Sequence, residues 1–221
     1  MSRLIEGLLI DNFQIVLFFS PDTTFKSLNV ANKISEVFGD LFTDDPNIIT
    51  LPPNAPVEIP RLIYNQGDIT QFAIGFSRAD FTIKMKKEDD WESKIKAFSI
   101  KLKKLFIEIL NIRIIRIGLV TNFTFNDNFT IDSFTKQYIN SDKLNDLAEY
   151  NMSWLKKIKI KDINANKWIR LFISEHPQEK RILIIDINTI FEQSLDFNNI
   201  ELDEIIDTFL DCFRGDIEDV I

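Results

Sequence analysis

The chain has 221 residues, with 26 Lys+Arg against 34 Asp+Glu, 45% apolar residues, one histidine and one cysteine. A chain of this length buries roughly 70% of its unfolded surface without disulfide or metal cross-links, and the composition excludes disorder, collagen and coiled coil. The longest apolar run, Ile15 to Phe19, is far shorter than the roughly 18 residues of a membrane helix, and no signal-peptide pattern is present. We therefore expect a cytoplasmic protein, with no membrane association, whose single Cys212 agrees with a reducing compartment.

The charge is distributed unevenly along the chain. From Asp186 to the end there are eleven acidic residues and one basic residue, Arg214, whereas the preceding part has a small positive balance. An acidic protein is poorly suited to sequence-independent binding of nucleic acid, because neutralising phosphates requires clustered Lys and Arg. Local basic surfaces are still compatible with this composition.

The hydrophobic pattern of the first half predicts a strand, a helix, a meander and a second helix. The strand is 14–20, and an amphipathic helix spans 27–42 with Ser27 as its N-cap. After a proline-rich loop, antiparallel strands are expected at 58–64, 69–76 and 81–87, with a further edge strand at 47–51. A long helix then begins at Asp90, with an apolar stripe formed by Trp91, Ile95, Phe98, Leu102, Leu105, Phe106 and Ile109.

The second half repeats this order of elements. The strongest strand of the chain is predicted at 111–125, because β-branched and aromatic residues dominate it. A helix at about 132–147 follows, then strands near 150–162, 167–176 and 180–190, and a final helix at about 201–214 ended by Gly215.

The repeated order predicts an α+β fold made of duplicated β-α-β(3-4)-α units. We expect one globular unit over 1–221 with pseudo-repeats at about 1–111 and 112–221. Helices would pack on one face of a curved antiparallel sheet and leave the other face open. This element order resembles the two-repeat saddle of the TATA-binding-protein fold, with two adjacent ferredoxin-like modules as the alternative.

Signatures of common enzymes are absent from the sequence. It contains no dinucleotide fingerprint, phosphate-binding loop, nucleophile elbow or Cys/His pair at metal spacing. His176 precedes Pro177 in a turn, and Cys212 lies on an acidic helix that does not favour a thiolate. The acidic residues spread along the last helix rather than converge as metal ligands do. We therefore predict no catalytic residues, no metal site and no cofactor. The acidic last helix and the lysine-rich surfaces instead suit docking to a partner or self-association.

Basic residues alternate with apolar ones near the third quarter of the chain. Lys157, Lys159 and Lys161 alternate with Ile158 and Ile160, so one strand face carries lysine and the other is apolar. This pattern is typical of a solvated sheet edge, where lysines discourage aggregation. The alternative is a surface that contacts phosphate or nucleic acid, to which Arg113 would also belong.

Arg116 and Asp186 are charged residues within apolar strands. Arg116 is predicted to share a face with Ile112, Ile114, Gly118 and Val120, and Asp186 to share one with Ile182 and Ile184. Charged groups in such surroundings are rarely buried unpaired. The two residues are therefore expected to form a structural ion pair, with a ligand anchor on the open sheet as the alternative.

Three stretches carry a family resemblance: Ile114–Phe125 (IIRIGLVTNFTF), Arg181–Thr189 (RILIIDINT) and Leu202–Ile217 (LDEIIDTFLDCFRGDI). In order and spacing they resemble a sporadically distributed family of uncharacterised bacterial proteins of similar length, and 56–76 fits more loosely. An Arg-Tyr-x-Asn sequence tends to follow the glycine in that family, whereas this chain has Val120-Thr121-Asn122; Asn122 is kept among the candidate ligand-binding residues. The resemblance implies a bacterial or mobile-element accessory protein and lends no catalytic residues.

The leading hypothesis from the sequence is a non-enzymatic cytoplasmic interaction protein. It would act as an accessory or regulatory component, for example of a bacterial defence or toxin-type system, through a protein partner or self-association. The alternative is nucleic-acid or nucleotide binding on the open sheet face. The candidate ligand-binding residues are Arg113, Arg116, Asn122, Lys157, Lys159, Lys161 and Asp186.

Overall fold

In the part of the chain that the structure describes, nine antiparallel strands form a single sheet, and three helices contribute to the core on one of its faces. The computed structural model describes residues 8–20, 22–52, 54–67, 70–86, 90–125, 149–160, 163–174, 182–189 and 204–212. The fold is therefore α+β with an antiparallel sheet, as predicted. The predicted helix at 132–147 lies outside the described residues, as do His176, Lys161 and the last nine residues.

The strands are numbered in chain order and come from both halves of the chain. They are β1 Leu8–Phe19, β2 Asn47–Ile48, β3 Leu62–Gln66, β4 Thr70–Ile74, β5 Arg78–Lys84, β6 Ile114–Phe125, β7 Glu149–Ile160, β8 Ile163–Ser174 and β9 Ile182–Thr189. Across the sheet their order is β2-β3-β4-β5-β1-β6-β9-β8-β7. The two halves thus share one continuous sheet, joined where β1 pairs with β6.

Two helices follow strands of the first half, and a third lies near the end of the chain. They are α1 Ser27–Phe38, α2 Trp91–Lys103, which continues as a π-helical turn over Lys104–Ile109, and α3, residues 204–212. Asp90 caps α2, because its side chain accepts a hydrogen bond from the Ser93 backbone N–H at 3.2 Å. The π-helical turn ends with a hydrogen bond from the Leu110 N–H to the Leu105 carbonyl.

An aromatic cluster joins the helices to the sheet. The Phe38 ring of α1 lies 5.6 Å from Phe72 and 5.7 Å from Phe81, and the Phe98 ring of α2 lies 4.8 Å from Phe81. Residues of α3 belong to the same continuous core, and Lys96 of α2 pairs with Asp207 of α3 at 3.0 Å. The helices therefore cover one face of the sheet, which we call the helix face; we call the other the open face.

Two strands begin elsewhere than predicted because of local turns. β5 begins at Arg78, within a predicted turn, because the Gly75 N–H donates to the Arg78 carbonyl at 2.8 Å and closes the connection earlier. β3 begins only at Leu62, since the preceding residues form a turn in which the Ile59 N–H donates to the Pro56 carbonyl. The predicted edge strand at 47–51 is only the two residues of β2.

The predicted facing of Ile112 and Ile114 is wrong. Both side chains are buried in the core on the helix face, whereas Arg116 pairs with Phe18 on the open face. A register irregularity between Phe18 and Phe19 shifts the alternation, so Ile114 pairs with Phe19. Gly118 and Val120 do share the face of Arg116, because they pair with the open-face residues of β1.

Candidate functional site

The open face carries a chain of polar side chains across its central strands. Residues that pair directly in an antiparallel sheet point to the same face, and the pairing places Arg116, Gly118 and Asn122 of β6 beside Asp186 and Asn188 of β9. Asp186 shares this face with Ile182 and Ile184, as predicted. Three of the sequence candidates, Arg116, Asn122 and Asp186, therefore lie on one surface.

Asn188 links Arg116 to Asp186. The Arg116 Nη2 donates to Asn188 Oδ1 at 3.2 Å, and Asn188 Nδ2 donates to Asp186 Oδ1. Gly118 makes room for this arrangement, since a Cβ atom there would lie only 2.4 Å from Asn188 Oδ1. The expected association of Arg116 with Asp186 thus includes a bridging amide that the sequence analysis did not identify.

Phe18 lies beneath two guanidinium groups. The Arg116 guanidinium carbon lies 4.4 Å from the ring centroid, and that of Arg78 lies 5.4 Å away. Stacking of this kind favours the cation through the ring quadrupole. The Arg78 Nε also donates to Asp80 Oδ2 at 2.8 Å, and Asp80 accepts a hydrogen bond from Gln14. The polar chain therefore extends from β9 across β6 and β1 to β5.

Burial and charge act against each other at the centre of this surface. Burial raises the pKa of Asp186, although the hydrogen bond from Asn188 and the charges of Arg170 and Arg116 oppose that rise. Burial also lowers the pKa of Arg116, while Asp186 favours its cationic form. Both groups are half-buried, so the carboxylate and the guanidinium stabilise each other where water is partly excluded.

Asn122 takes part in a separate amide contact on the same face. Its Nδ2 donates to Asn12 Oδ1 at 2.7 Å, which links β6 to β1. Arg113 lies elsewhere: it precedes β6, is exposed, and its carbonyl accepts a hydrogen bond from the Ser20 N–H. The structure therefore does not bring Arg113 into the central polar chain.

Two of the three candidate lysines, Lys157 and Lys159, lie at the sheet edge formed by β7. Lys157 pairs with Asn166 and Lys159 with Asn164, and both lysines are exposed on the open face. Ile158 and Ile160 point to the helix face, which confirms the predicted alternation for the described residues. β7 stands last in the strand order, so these lysines occupy the solvated edge that the sequence predicted.

β7 also exposes two large apolar side chains at its middle. Trp154 is 37% exposed and Leu155 is 45% exposed, although they point to opposite faces. Leu155 pairs with Trp168 of β8 on the open face, next to Arg170, whose guanidinium lies 5.8 Å from the Trp168 ring centroid. The β7 edge therefore combines a backbone edge that no described strand pairs with, apolar contact area and basic side chains.

The remaining candidates show no catalytic arrangement within the described residues. Glu204, Asp207 and Asp211 are exposed along α3, and Cys212 is half-buried at its end. In the described ranges, no three His, Cys, Asp or Glu side chains come together as a metal site would require. Of the helices described, none is both long enough and apolar enough to cross a membrane.

Comparison with known proteins gives no family. No protein-family model matches the chain, and no curated protein matches it significantly.

Proposed function

We propose that this chain is a non-enzymatic interaction protein and that its partner adds a strand to the outer edge of β7. One observation carries the proposal: β7 is a 12-residue strand at the end of the sheet that exposes Trp154 and Leu155 at its middle. Within the described residues, no strand pairs with its outer side. Such an edge presents unpaired N–H and C=O groups, which a partner strand satisfies.

The opposite edge of the sheet, formed by β2, differs from the β7 edge in a way that supports the proposal. There the last strand, β2, has only two residues, and a very short edge strand is a common protection against unwanted pairing. β7 lacks that protection, although its lysines restrict which strands are able to pair with it. A partner segment with acidic or neutral residues opposite Lys157 and Lys159 would complement this edge.

The chemistry of the open face supports binding rather than catalysis. Its central charged groups are already engaged: Arg116 with Asn188, Asp186 with Asn188, and Arg78 with Asp80. A catalytic site needs a nucleophile, a base and an orienting group within reach of one another. In the polar chain these side chains bond to one another instead, as expected of a structural support beneath a binding surface.

Nucleic-acid or nucleotide binding on the open face is the second candidate function. The observation that favours it is the group formed by Trp168, Arg170, Lys157 and Lys159 on adjacent strands. An aromatic ring among cations suits the stacking of a base with contacts to phosphate. This candidate predicts binding that weakens steeply with salt.

The strand order also supports the proposed duplication into about 1–111 and 112–221. On one side of the β1–β6 pair lie β5, β4 and β3, and on the other lie β9, β8 and β7. Each half would then contain a central strand followed by three antiparallel strands, the last of which returns to pair with the first. A saddle like that of the TATA-binding-protein fold remains our proposal. We also retain the cytoplasmic location and the resemblance to a bacterial accessory family, with a role in a defence or toxin-type system, as proposals.

A tagged pull-down from a lysate of the native organism, divided into nuclease-treated and untreated halves, tests the two functions. We expect a protein that is retained in both halves and lost when Trp154→Lys and Leu155→Lys are combined. The matched control is Ile100→Lys, since Ile100 is 58% exposed on α2. Retention of only nucleic acid, lost after nuclease treatment, would favour the second candidate instead.

A further inference from the structure

The charges of β7 are separated along the strand. Glu149 stands at its beginning, whereas Lys156, Lys157 and Lys159 stand in its second half. Trp154 lies between these two regions. A strand with this pattern is complementary to its own reverse, because an antiparallel copy places the acidic beginning opposite the basic end.

We propose that the outer edge of β7 pairs in antiparallel fashion with β7 of a second copy, with Trp154 opposite Trp154. This inference rests on the proposed function, since it names the occupant of the same edge. The two sheets would continue as one across a two-fold axis perpendicular to the sheet. Such an interface is isologous, so the same patch of each copy meets itself.

The charges of β7 are compatible with this register and disfavour several others. With Trp154 at the axis, the facing pairs are Lys159 with Glu149, Ile158 with Tyr150, Lys157 with Asn151, Lys156 with Met152, and Leu155 with Ser153. No lysine then faces another lysine. A parallel in-register pair would set all three lysines against their counterparts, and an axis at Lys156 would set that lysine against itself; like charges directly opposite are destabilising.

The register also keeps the faces consistent. Trp154 lies on the helix face, because it pairs with the buried Ile169 of β8, and Leu155 lies on the open face opposite Trp168. Each facing pair joins positions that differ by an even number, so helix-face side chains of one copy meet helix-face side chains of the other. The helices of both copies would lie on the same side of the joined sheet.

Charge reversal tests the pairing by analytical ultracentrifugation of the purified full chain. Positions 149 and 159 face each other in two symmetry-related pairs of the dimer. With Lys159→Glu, both of these pairs consist of two acidic residues, and with Glu149→Lys, both consist of two lysines. We expect each variant alone to weaken dimerisation about tenfold. Mixing the two variants restores it, because every facing pair in the mixed dimer is again of opposite charge. The matched control is Lys84→Glu, an exposed open-face lysine on β5, which leaves dimerisation unchanged.

A cysteine cross-link tests the register itself. Residues directly opposite in an antiparallel pair have Cβ atoms about 4.5–5.5 Å apart, so Trp154→Cys in a Cys212→Ser background should form an intermolecular disulfide under mild oxidation. Glu149→Cys, whose counterpart in this register is Lys159, should not. Efficient cross-linking of Glu149→Cys with itself would overturn the register.

The outcomes separate this inference from the proposed function. A wild-type chain that sediments as a monomer at every soluble concentration, or a dimer unaffected by both charge reversals, overturns self-pairing. If such a monomer still captures a lysate protein in a manner lost on Trp154→Lys and Leu155→Lys, another strand occupies the edge and the proposed function stands. If neither self-association nor capture depends on β7, both fail.

Discussion

Gly118→Ala is the most direct test of the polar chain on the open face. A Cβ atom at position 118 would lie 2.4 Å from Asn188 Oδ1, while the Val16 Cβ, at 3.7 Å, is at an ordinary contact distance. The substitution therefore displaces a side-chain amide and leaves the backbone in place. Its energetic cost is the loss of the contacts that this amide makes.

Displacing Asn188 removes two hydrogen bonds, one from Arg116 and one to Asp186. At a half-buried position each contributes about 0.5–1 kcal/mol, so the loss is about 1.5 kcal/mol. Replacing glycine by alanine also restricts the unfolded chain and returns about 0.5 kcal/mol. We expect Gly118→Ala to lower the free energy of unfolding by about 1 kcal/mol, which corresponds to a fall in Tm of about 2–4 °C.

Urea denaturation in two backgrounds measures this effect. In Asn188→Ala the amide is absent, so adding Gly118→Ala should stabilise the protein by about 0.5 kcal/mol, and the double-mutant cycle should show a coupling of about 1.5 kcal/mol. Gly67→Ala is the control, because Gly67 has φ +54° with no atom near its missing Cβ. Its cost of about 1 kcal/mol comes from the backbone and should be equal in both backgrounds. An equal cost for Gly118→Ala in the two backgrounds would refute the role of Asn188.

Four further predictions concern the pH dependence, the core and a surface ion pair. The folded-state pKa of Asp186 is raised above its ordinary 3.8, so the contribution of this group to stability is lost as pH rises through the raised pKa. The stability of Asp186→Asn relative to wild type should therefore be greatest at neutral pH and decline on acidification. Urea titrations at several pH values measure this difference. Tyr64→Phe should cost about 1 kcal/mol in thermal denaturation, since it removes a buried hydrogen bond of 2.8 Å to the Ala31 carbonyl, and no change would contradict that contact. Phe38→Ala should cost about 3–5 kcal/mol in urea denaturation, because the fully buried ring of Phe38 contacts two phenylalanines of the sheet. Asp207→Asn, which removes a half-exposed ion pair, should change stability by less than about 1 kcal/mol in the same assay.

Periodicity was sufficient to predict most of the elements. α1 and α2 have apolar residues at helical spacing, and β6 and β9 are rich in β-branched residues, so local patterns agree with the final fold there. The alternation of lysine and isoleucine correctly gave the faces of β7. These features depend on residues that lie close together in the sequence, so a single sequence is sufficient to predict them.

The errors arise where tertiary pairing or unusual turns decide the structure. The irregularity between Phe18 and Phe19 depends on how two strands distant in sequence align, and it reversed the predicted facing of Ile114. The π-helical form of the turn after α2 was not predicted, although the predicted apolar stripe is correct there, since Leu105 and Phe106 are buried and Ile109 packs against the core.

The candidate site was only partly visible in the sequence. Charged residues within apolar strands drew attention to Arg116 and Asp186, but Asn188 and Phe18 have no distinguishing pattern. Gly118 carried a usable signal, since glycine inside a strand often marks close approach by another group. Which group approaches depends on the pairing of β6 with β9, across about seventy residues of sequence.

The position of β1 at the middle of the sheet has a consequence for how the chain folds. Its residues 8–19 pair with residues 114–125, so one side of this strand has no partner until about a hundred further residues have been synthesised. Contacts of such sequence separation slow folding, because a long loop must close before they form. During synthesis the first half therefore exposes a long apolar strand edge, and β6 acts as the segment that ends this aggregation-prone interval.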